Sequence, residues 1–482
     1  MLPKDKDLLL KEKVKLYNNI AKLNDCEGRL LAELEVYPTP RIVWEFEMLG
    51  DAQCNFPFWS CTDSDALLIG HCFSIEKPIV SGPPAIGLGP LKALKGDTAQ
   101  AFYGELEDAV HHLTFYLPNT RFQSISKHQD RLLNVLKDPK SNREKGWEEE
   151  RLYIDLPLDD IWSVSLEIRT DAIDWLSKHR NRGTFVTTVG QLYQHKYQAM
   201  KPETLSELQT ITLKNALVRL NHFSRLLSYA NGGYTGPLYI EGHRFTQDRS
   251  NPWETSSVVL AYTTTPLEQL CHSWITYESD LRAYIGCLTT FERMRQNPIW
   301  EETFDFTLIQ YFQAMRGRMA WQVMASAAGA ALERLSYTIL VEDETNSTKK
   351  ANCALLFGIS GKERQNAQQR WNLGKGPGQE DISVTGKRLR LLLERIGITK
   401  SRGYDDIDDV PLFLEVRNDA VHPRTGSITV EQRWKLINQA IQWIDEVLLW
   451  RIGYRGKYLD RIQQPGNSTT PRYDLSLRDS SW

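Results

Sequence analysis

The residues most suited to chemistry are Arg417, Asn418 and His422 in the hexapeptide RNDAVH, residues 417–422. They lie at the end of a predicted helix that must stop before Pro423, because proline is excluded from a helix interior. A guanidinium is permanently charged and suits a phosphate, whereas an imidazole titrates near neutrality. Positions five apart on a helix differ by ~140°, so an unwound last turn would let both side chains point the same way. Together they could cleave a phosphodiester without a metal.

The spacing of Arg417 and His422 alone carries no information. With 10 His in the chain, an Arg followed by a His after four to six residues is expected on the order of twice by chance. The pattern occurs as Arg417/His422 and as Arg121/His128. Only the first pair lies at a helix end ahead of a further helix, so context favours it.

Each candidate also has a structural interpretation. Arg417 and His422 could be helix-terminal cations that interact favourably with the helix dipole, and Asn418 could be a surface or capping residue. Glu333, an acid in an otherwise apolar helix, could be the structural partner of a nearby arginine. The run of small residues 324–332 (MASAAGAAL) predicts tight helix packing, or a dimer face.

The first 290 residues predict a mixed α+β region of one or two domains. Apolar residues at near-helical spacing predict an amphipathic helix over residues 7–24. Runs of β-forming residues predict strands, and a helix is expected over residues 203–231. The predicted strands are residues 29–36, 41–49, 112–117, 150–156, 161–168, 238–242 and 256–262.

The remainder predicts an all-α bundle at residues 300–460 and a flexible tail at 461–482. Residues 304–341 have a helical period and give one long helix or two in tandem. Further helices are expected over 384–396, 411–422 and 429–452. The last has an apolar stripe of Val430, Trp434, Ile437, Ile441, Ile444 and Leu448, which predicts one buried face. Four such helices indicate a bundle.

Composition describes an ordinary folded protein of several domains. The chain has 482 residues, a net charge of −3 and 41% hydrophobic residues, which excludes a globally basic nucleic-acid coat. Seven scattered cysteines indicate reduced thiols. No signal peptide is recognisable, and charges interrupt the most apolar stretch, residues 320–340. We therefore expect a cytoplasmic protein.

Rival motifs are weaker. Cys54, Cys61, His71 and Cys72 lie close together, but their spacing matches no zinc knuckle, so no metal site is predicted. The adjacent histidines 111 and 112 would face opposite sides of a strand. The glycine-rich segments 87–92 and 374–378 lack the spacing of a dinucleotide or Walker motif. No cofactor is expected.

The C-terminal region resembles the HEPN superfamily, whose members share an all-α bundle and an RNxxxH motif, which RNDAVH fits. Residues 331–343 (ALERLSYTILVED) and 448–461 (LLWRIGYRGKYLDR) look like the ApeA-like branch of anti-phage proteins. Residues 223–242 (FSRLLSYANGGYTGPLYIEG) are similar to the domain that precedes HEPN in such proteins. The resemblance covers residues 300–460 and, less specifically, the first 290.

This resemblance implies a metal-independent endoribonuclease that acts as a homodimer with a shared cleft. Cleavage by a 2′-hydroxyl needs one proton acceptor and one donor, and two copies of His422 can divide these roles, one neutral and one protonated. Arg417 would stabilise the phosphorane, Asn418 would orient the motif, and Glu333 would hold Arg417 or contact RNA. The biological role implied is cleavage of RNA, tRNA among the candidates, in abortive infection after a phage-derived trigger.

Two alternatives remain open at the level of sequence. The bundle could be a non-catalytic module that dimerises or binds RNA or a nucleotide, which suits the net charge of −3. Alternatively, residues 1–290 could be the active part, binding a phage protein or a small ligand, with the bundle as an assembly platform.

Overall fold

The chain divides into two compact units, Met1–Leu270 and Cys271–Trp482. The computed structural model describes residues 13–23, 26–36, 40–49, 67–70, 73–76, 79–80, 93–98, 100–103, 105–120, 152–168, 184, 186–194, 209–245, 253–260, 265, 271, 274–275, 278–316, 320–343, 385–386, 388–390, 392–393, 396–397, 409–422, 428–462 and 477–480. The first unit is rich in strands and the second in helices, which confirms a mixed α+β protein. The division falls about 20 residues before the predicted end of the first region.

The first unit is built on an antiparallel sheet. Its strands are β1 (Lys13–Leu23), β2 (Cys26–Glu35), β3 (Arg41–Met48), β4 (Leu67–Gly70), β5 (Phe73–Glu76), β6 (Ile79–Val80), β7 (Ala93–Thr98), β8 (Gln100–Tyr103), β9 (Ala109–Val110), β10 (His112–Pro118), β11 (Leu152–Pro157), β12 (Trp162–Ile168), β13 (Val186–Gln194), β14 (Ile211–Thr212), β15 (Tyr239–Phe245) and β16 (Trp253–Leu260). Over the described residues, the sheet order is β11-β12-β13-β10-β15-β16-β8-β5-β4-β1-β2-β3-β7-β6, and β14 pairs separately with β9. The seven predicted strands are confirmed.

The predicted helix over residues 7–24 is wrong, because Lys13–Leu23 forms strand β1. Its buried residues are Val14, Tyr17 and Ala21, which lie three and four positions apart as on a helix face. The cause is a bulge between Lys15 and Tyr17, where the register against β2 shifts by one residue. A bulge inserts one residue into the two-residue alternation of a strand, so the spacing imitates a helix.

Helix α1 (Leu213–Asn231) packs beside β10, where Phe223 meets Phe115 with ring centroids 6.1 Å apart. It begins ten residues later than predicted, because Ile211 and Thr212 form β14 and the Thr212 hydroxyl caps the helix by accepting from Asn215 N at 3.3 Å. Strand β10 is buried along its whole length, as expected for a central strand covered on both faces.

The second unit contains helices α2 (Glu278–Ile285), α3 (Leu288–Arg295), α4 (Pro298–Met315), α5 (Trp321–Tyr337), α6 (Asp409–Val421) and α7 (Val430–Arg451). Residues 385–386, 388–390 and 392–393 are also helical. The stretch 304–341 therefore forms two helices in tandem, and a π-helical turn, Thr338–Glu342, continues α5. Thr429 and Gln432 form a capping box at the start of α7, close to the predicted boundary.

A short sheet also belongs to the second unit, where β17 (Lys457–Leu459) pairs with β18 (Leu477–Asp479). This pairing departs from the expected all-α bundle and from a flexible tail after residue 461. The chain just after β17 is anchored to α7 and α4, because Arg461 Nε donates to Asp445 Oδ2 of α7 at 2.6 Å and Arg461 Nη2 donates to Tyr311 Oη of α4 at 2.7 Å. Asp445 is fully buried, so the Arg461–Asp445 pair fixes residue 461 against α7.

Candidate functional site

Helix α6 carries the RNDAVH motif at its end. The helix stops at Val421, and His422 lies in a bend, although its amide still donates to Asn418 O at 2.7 Å. His422 is exposed, whereas Arg417 and Asn418 are half-buried. The end of the helix thus places an accessible imidazole one turn beyond a partly covered guanidinium.

Arg417 is held by a carboxylate from α5. Its Nη2 donates to Glu333 Oε2 at 2.9 Å, and its Nη1 donates to Asn418 Oδ1 at 3.3 Å. The side chains of Arg417 and Glu333 are 35% and 41% exposed, so solvent and an anionic ligand can reach both. Among the described residues, no hydrogen bond or ion pair joins His422 to Arg417. The structure therefore brings together Arg417, Asn418 and Glu333, and leaves His422 apart.

A glycine allows α6 to approach α5 at this point. A Cβ atom on Gly329 would lie 2.7 Å from Arg417 Cγ, far inside normal contact. The neighbouring Ala325, Ala328 and Ala331 are fully buried, so the run 324–332 packs inside the unit, as the tight-packing interpretation predicts. The small residues bring the backbone of α5 close enough for Glu333, one turn later, to meet Arg417.

Sequence reasoning missed Arg388, which completes this cluster. Its Nη2 lies 3.5 Å from Glu333 Oε1, the carboxylate oxygen opposite the one that Arg417 contacts. The side chain is only 8% exposed, and its guanidinium lies over the ring of Tyr337 at 5.8 Å from the centroid. Burial lowers the pKa of Arg388 from its ordinary value, and Glu333 and Tyr337 oppose this shift.

A signal for Arg388 does exist in the sequence. The buried residues Leu389, Leu392 and Ile396 define one face of this helical segment, and Arg388 precedes Leu392 by four positions, which places it on the same face. A charged residue within an apolar stripe is rarely buried without a partner. The pattern therefore indicates a paired arginine but does not reveal its partner.

The start of the α7 stripe is exposed, contrary to the prediction of one buried face. Val430 is 66% and Trp434 37% exposed, whereas Ile437, Ile441, Ile444 and Leu448 are buried as predicted. Val421, next to His422, is also exposed. We call Val421, Val430 and Trp434 the apolar rim. In the sequence they flank the segment that connects α6 to α7, because Val421 ends α6 while Val430 and Trp434 belong to the start of α7.

The adjacent histidines His111 and His112 of the first unit make contacts within the sheet. His112 stacks on His243 with ring centroids 4.3 Å apart, and His111 Nδ1 accepts from Phe245 N at 3.0 Å. Burial lowers the pKa of His112, and that of His243 to about 4. Over the part of the chain that the structure describes, no three His, Cys, Asp or Glu side chains form a metal-binding group.

Several candidates lie outside the described residues. These are the pair Arg121/His128, the cluster of Cys54, Cys61, His71 and Cys72, and the glycine-rich segments 87–92 and 374–378. Of the described helices, none is long and apolar enough to cross a membrane.

Comparison with known proteins gives one family. A model of the YopA C-terminal domain matches residues 381–471, which include the Arg388 segment, α6, α7 and β17. The match covers less than a fifth of the 482 residues, and so concerns the C-terminal part alone. No curated protein and no solved structure matches the chain.

Proposed function

We propose that the second unit is a metal-independent endoribonuclease of the HEPN type, with a bundle of that family as its fold. The observation that carries this proposal is the RNDAVH helix end. There an accessible His422 follows a guanidinium already oriented by Glu333 and Asn418. A permanently charged group held in place before the reaction can stabilise the developing charge of a phosphorane without reorganising.

His422 supplies the proton transfers. An imidazole can act as a general base or a general acid. One His422 would accept the proton of the 2′-hydroxyl, and His422 of a second copy would donate a proton to the leaving 5′-oxygen. The products are a 2′,3′-cyclic phosphate and a 5′-hydroxyl, and no water or metal enters the first step. Each copy needs only one histidine because the dimer supplies the other.

The apolar rim supports the homodimer. Val421, the chain neighbour of His422, is exposed, and so are Val430 and Trp434 at the start of the next helix. Exposed apolar side chains that form a patch are typical of an interaction surface. A second copy that covers this rim by twofold symmetry would bring its own His422 to the same cleft.

The biological role follows from the nuclease. We propose that the enzyme acts in the cytoplasm, cleaves host RNA, including tRNA, and arrests infected cells in anti-phage defence. The first unit would sense a phage-derived trigger and control the nuclease. The second candidate is an RNA- or nucleotide-binding module without catalysis. The separation of His422 from Arg417 favours it, because Arg417 is held by Glu333 and Asn418 and, among the described residues, makes no bond to His422.

The deciding experiment is RNA cleavage in the presence of EDTA. Total RNA and tRNA are incubated with the wild type, Arg417→Ala and His422→Ala, and resolved on a denaturing gel. Arg293→Ala is the matched control, since Arg293 is an exposed arginine of the same unit. We expect cleavage by the wild type and the control, and a loss of at least about 10²-fold in the two motif variants.

Other outcomes decide against the proposal. Equal cleavage by all four proteins places the activity elsewhere. If none cuts, the assay is repeated with extract from infected cells, which supplies a trigger. RNA binding without cleavage in both conditions supports the binding module.

A further inference from the structure

One carboxylate in the candidate site has two guanidinium partners. Glu333 Oε2 accepts from Arg417 at 2.9 Å, while Glu333 Oε1 lies 3.5 Å from Arg388 Nη2. The two arginines differ in access to solvent, because the side chain of Arg417 is 35% exposed and that of Arg388 only 8%. Arg388 is further fixed by Thr385, whose Oγ1 accepts from its Nη2 at 3.5 Å.

The charges of these groups suggest what the second arginine adds. Glu333 and Arg417 alone would form a neutral pair, which would not attract an RNA phosphate. With Arg388 the cluster carries a net charge of +1, counted from one carboxylate and two guanidinium groups. Because Arg388 is buried, its charge acts through a low-dielectric interior and is screened less than that of an exposed cation.

We propose that Arg388 is a positioning residue of the nuclease site. It contacts the Glu333 carboxylate oxygen that Arg417 does not use, so that Glu333 orients Arg417 without cancelling the positive charge of the cluster. This inference rests on the proposed function and extends it. Arg388 itself does not touch RNA, since its side chain is covered. Its engagement of one carboxylate oxygen prevents Glu333 from forming a two-pronged pair with Arg417 and leaves Arg417 available to the scissile phosphate.

The test compares the wild type with Arg388→Gln, Arg388→Lys, Glu333→Gln and the double variant Arg388→Gln/Glu333→Gln. For each protein, kcat and KM are measured on RNA, and Kd is measured for a 2′-O-methyl RNA that cannot be cleaved. Arg388→Gln leaves a neutral Glu333–Arg417 pair, so we expect KM and Kd to rise about tenfold, less at high salt. Arg388→Lys keeps the charge and should retain most of the affinity.

The double variant separates this role from a structural one. Removing Glu333 together with Arg388 restores a net charge of +1, so Kd should return to within about threefold of the wild type, while kcat stays about tenfold lower because Arg417 is no longer oriented. Glu333→Gln alone should bind RNA more tightly than the wild type and also turn over slowly. A variant that had only lost stability would gain nothing from a second substitution.

Arg295→Gln is the matched control. Arg295 is also buried, lies over an aromatic ring at 5.8 Å, and pairs with two carboxylates, yet belongs to α3 and its partners Glu301 and Asp305 to α4. This control should leave KM and Kd unchanged. If it weakens RNA binding as much as Arg388→Gln, the proposal is overturned.

The result also distinguishes this inference from the proposed function. If the wild type cleaves RNA but KM and Kd do not follow the net charge of the cluster across the variants, the positioning role of Arg388 is wrong and the proposed nuclease function is unaffected. If no protein cleaves RNA but Kd follows the net charge, the nuclease function is wrong and Arg388 acts at an RNA-binding site. If no variant binds RNA, both are overturned.

Discussion

Substituting Gly329 by alanine tests whether the close approach of α5 and α6 positions Arg417, the arginine of the proposed nuclease site. The added methyl group would lie 2.7 Å from Arg417 Cγ, whereas carbon atoms in contact normally lie about 3.5–4.0 Å apart. Cγ lies near the start of the side chain, so the guanidinium cannot move alone. Either the rotamer of Arg417 changes or the two helices separate, and each response disturbs the 2.9 Å bond to Glu333.

The effect on stability is a difference between opposing terms. Alanine is favoured over glycine in a helix by about 1 kcal/mol. Overpacking in a closely packed interior costs about 1–3 kcal/mol, and the half-exposed ion pair contributes at most about 1 kcal/mol. We therefore expect Gly329→Ala to lower the free energy of unfolding by about 0–3 kcal/mol. A displacement of Arg417 by about 1 Å should lower the cleavage rate much more, by about 10²-fold.

Urea unfolding and RNA cleavage measure the two effects separately. Gly386→Ala is a matched control, since its Cβ would meet Leu414 Cδ1 of the same helix α6 at 3.4 Å, an ordinary contact distance. The Gly386→Ala protein should have the wild-type rate of RNA cleavage and a free energy of unfolding equal to or above that of the wild type. A Gly329→Ala protein with the wild-type cleavage rate and stability would refute the idea that the glycine positions Arg417.

Two further predictions concern the dimer and the first unit. Trp434→Asp, in the apolar rim, should weaken dimerisation at least tenfold in sedimentation equilibrium and lower RNA cleavage as well. The control Ile309→Asp, at an exposed position of α4, should change neither. The opposite result would place the dimer interface elsewhere. Burial lowers the pKa of His243 to about 4, so the unfolded chain binds the extra proton first as the pH falls below about 6.5. The contribution of His243 to stability should therefore be complete above pH 6.5 and decrease by about 3 kcal/mol as the pH drops to about 4. His243→Gln should show a smaller loss in urea unfolding at pH 7 and pH 5, and equal losses in both proteins would contradict this assignment.

Local patterns in the sequence were sufficient for most elements. Strands β2 and β3 alternate apolar and polar residues, and β3 buries every second residue from Ile42 to Phe46 as this pattern predicts. Helix α7 is predicted to within one residue, because a Thr429 cap and a helical period mark its limits. Strand β1 shows where such reasoning fails. A single bulge turned its two-residue period into a helical one, and only pairing with β2 reveals the difference.

The site was predictable only where it is local. Arg417, Asn418 and His422 lie within six residues, so a predicted helix end and the fit to the RNxxxH pattern were enough to select them. The Glu333 partner of Arg417 is 84 residues away, and the sequence indicated that contact only as one of several roles for an acid in an otherwise apolar helix. Arg388 was not predicted at all. Its place in an apolar stripe indicates that its charge is buried, but does not show which residue pairs with it.

The cluster also explains why the small residues of α5 matter beyond packing. Glu333, Arg388 and Arg417 come from three separate helical segments, and a carboxylate can hold two guanidinium groups only if those segments approach closely. Gly329 has no Cβ where Arg417 crosses α5, and Ala325, Ala328 and Ala331 are fully buried on the same helix. A larger residue at position 329 would keep the charges but separate them, since each added ångström weakens an interaction that depends on hydrogen-bond distance. The position of Arg417 therefore depends on the missing Cβ of Gly329 as well as on its charged partner.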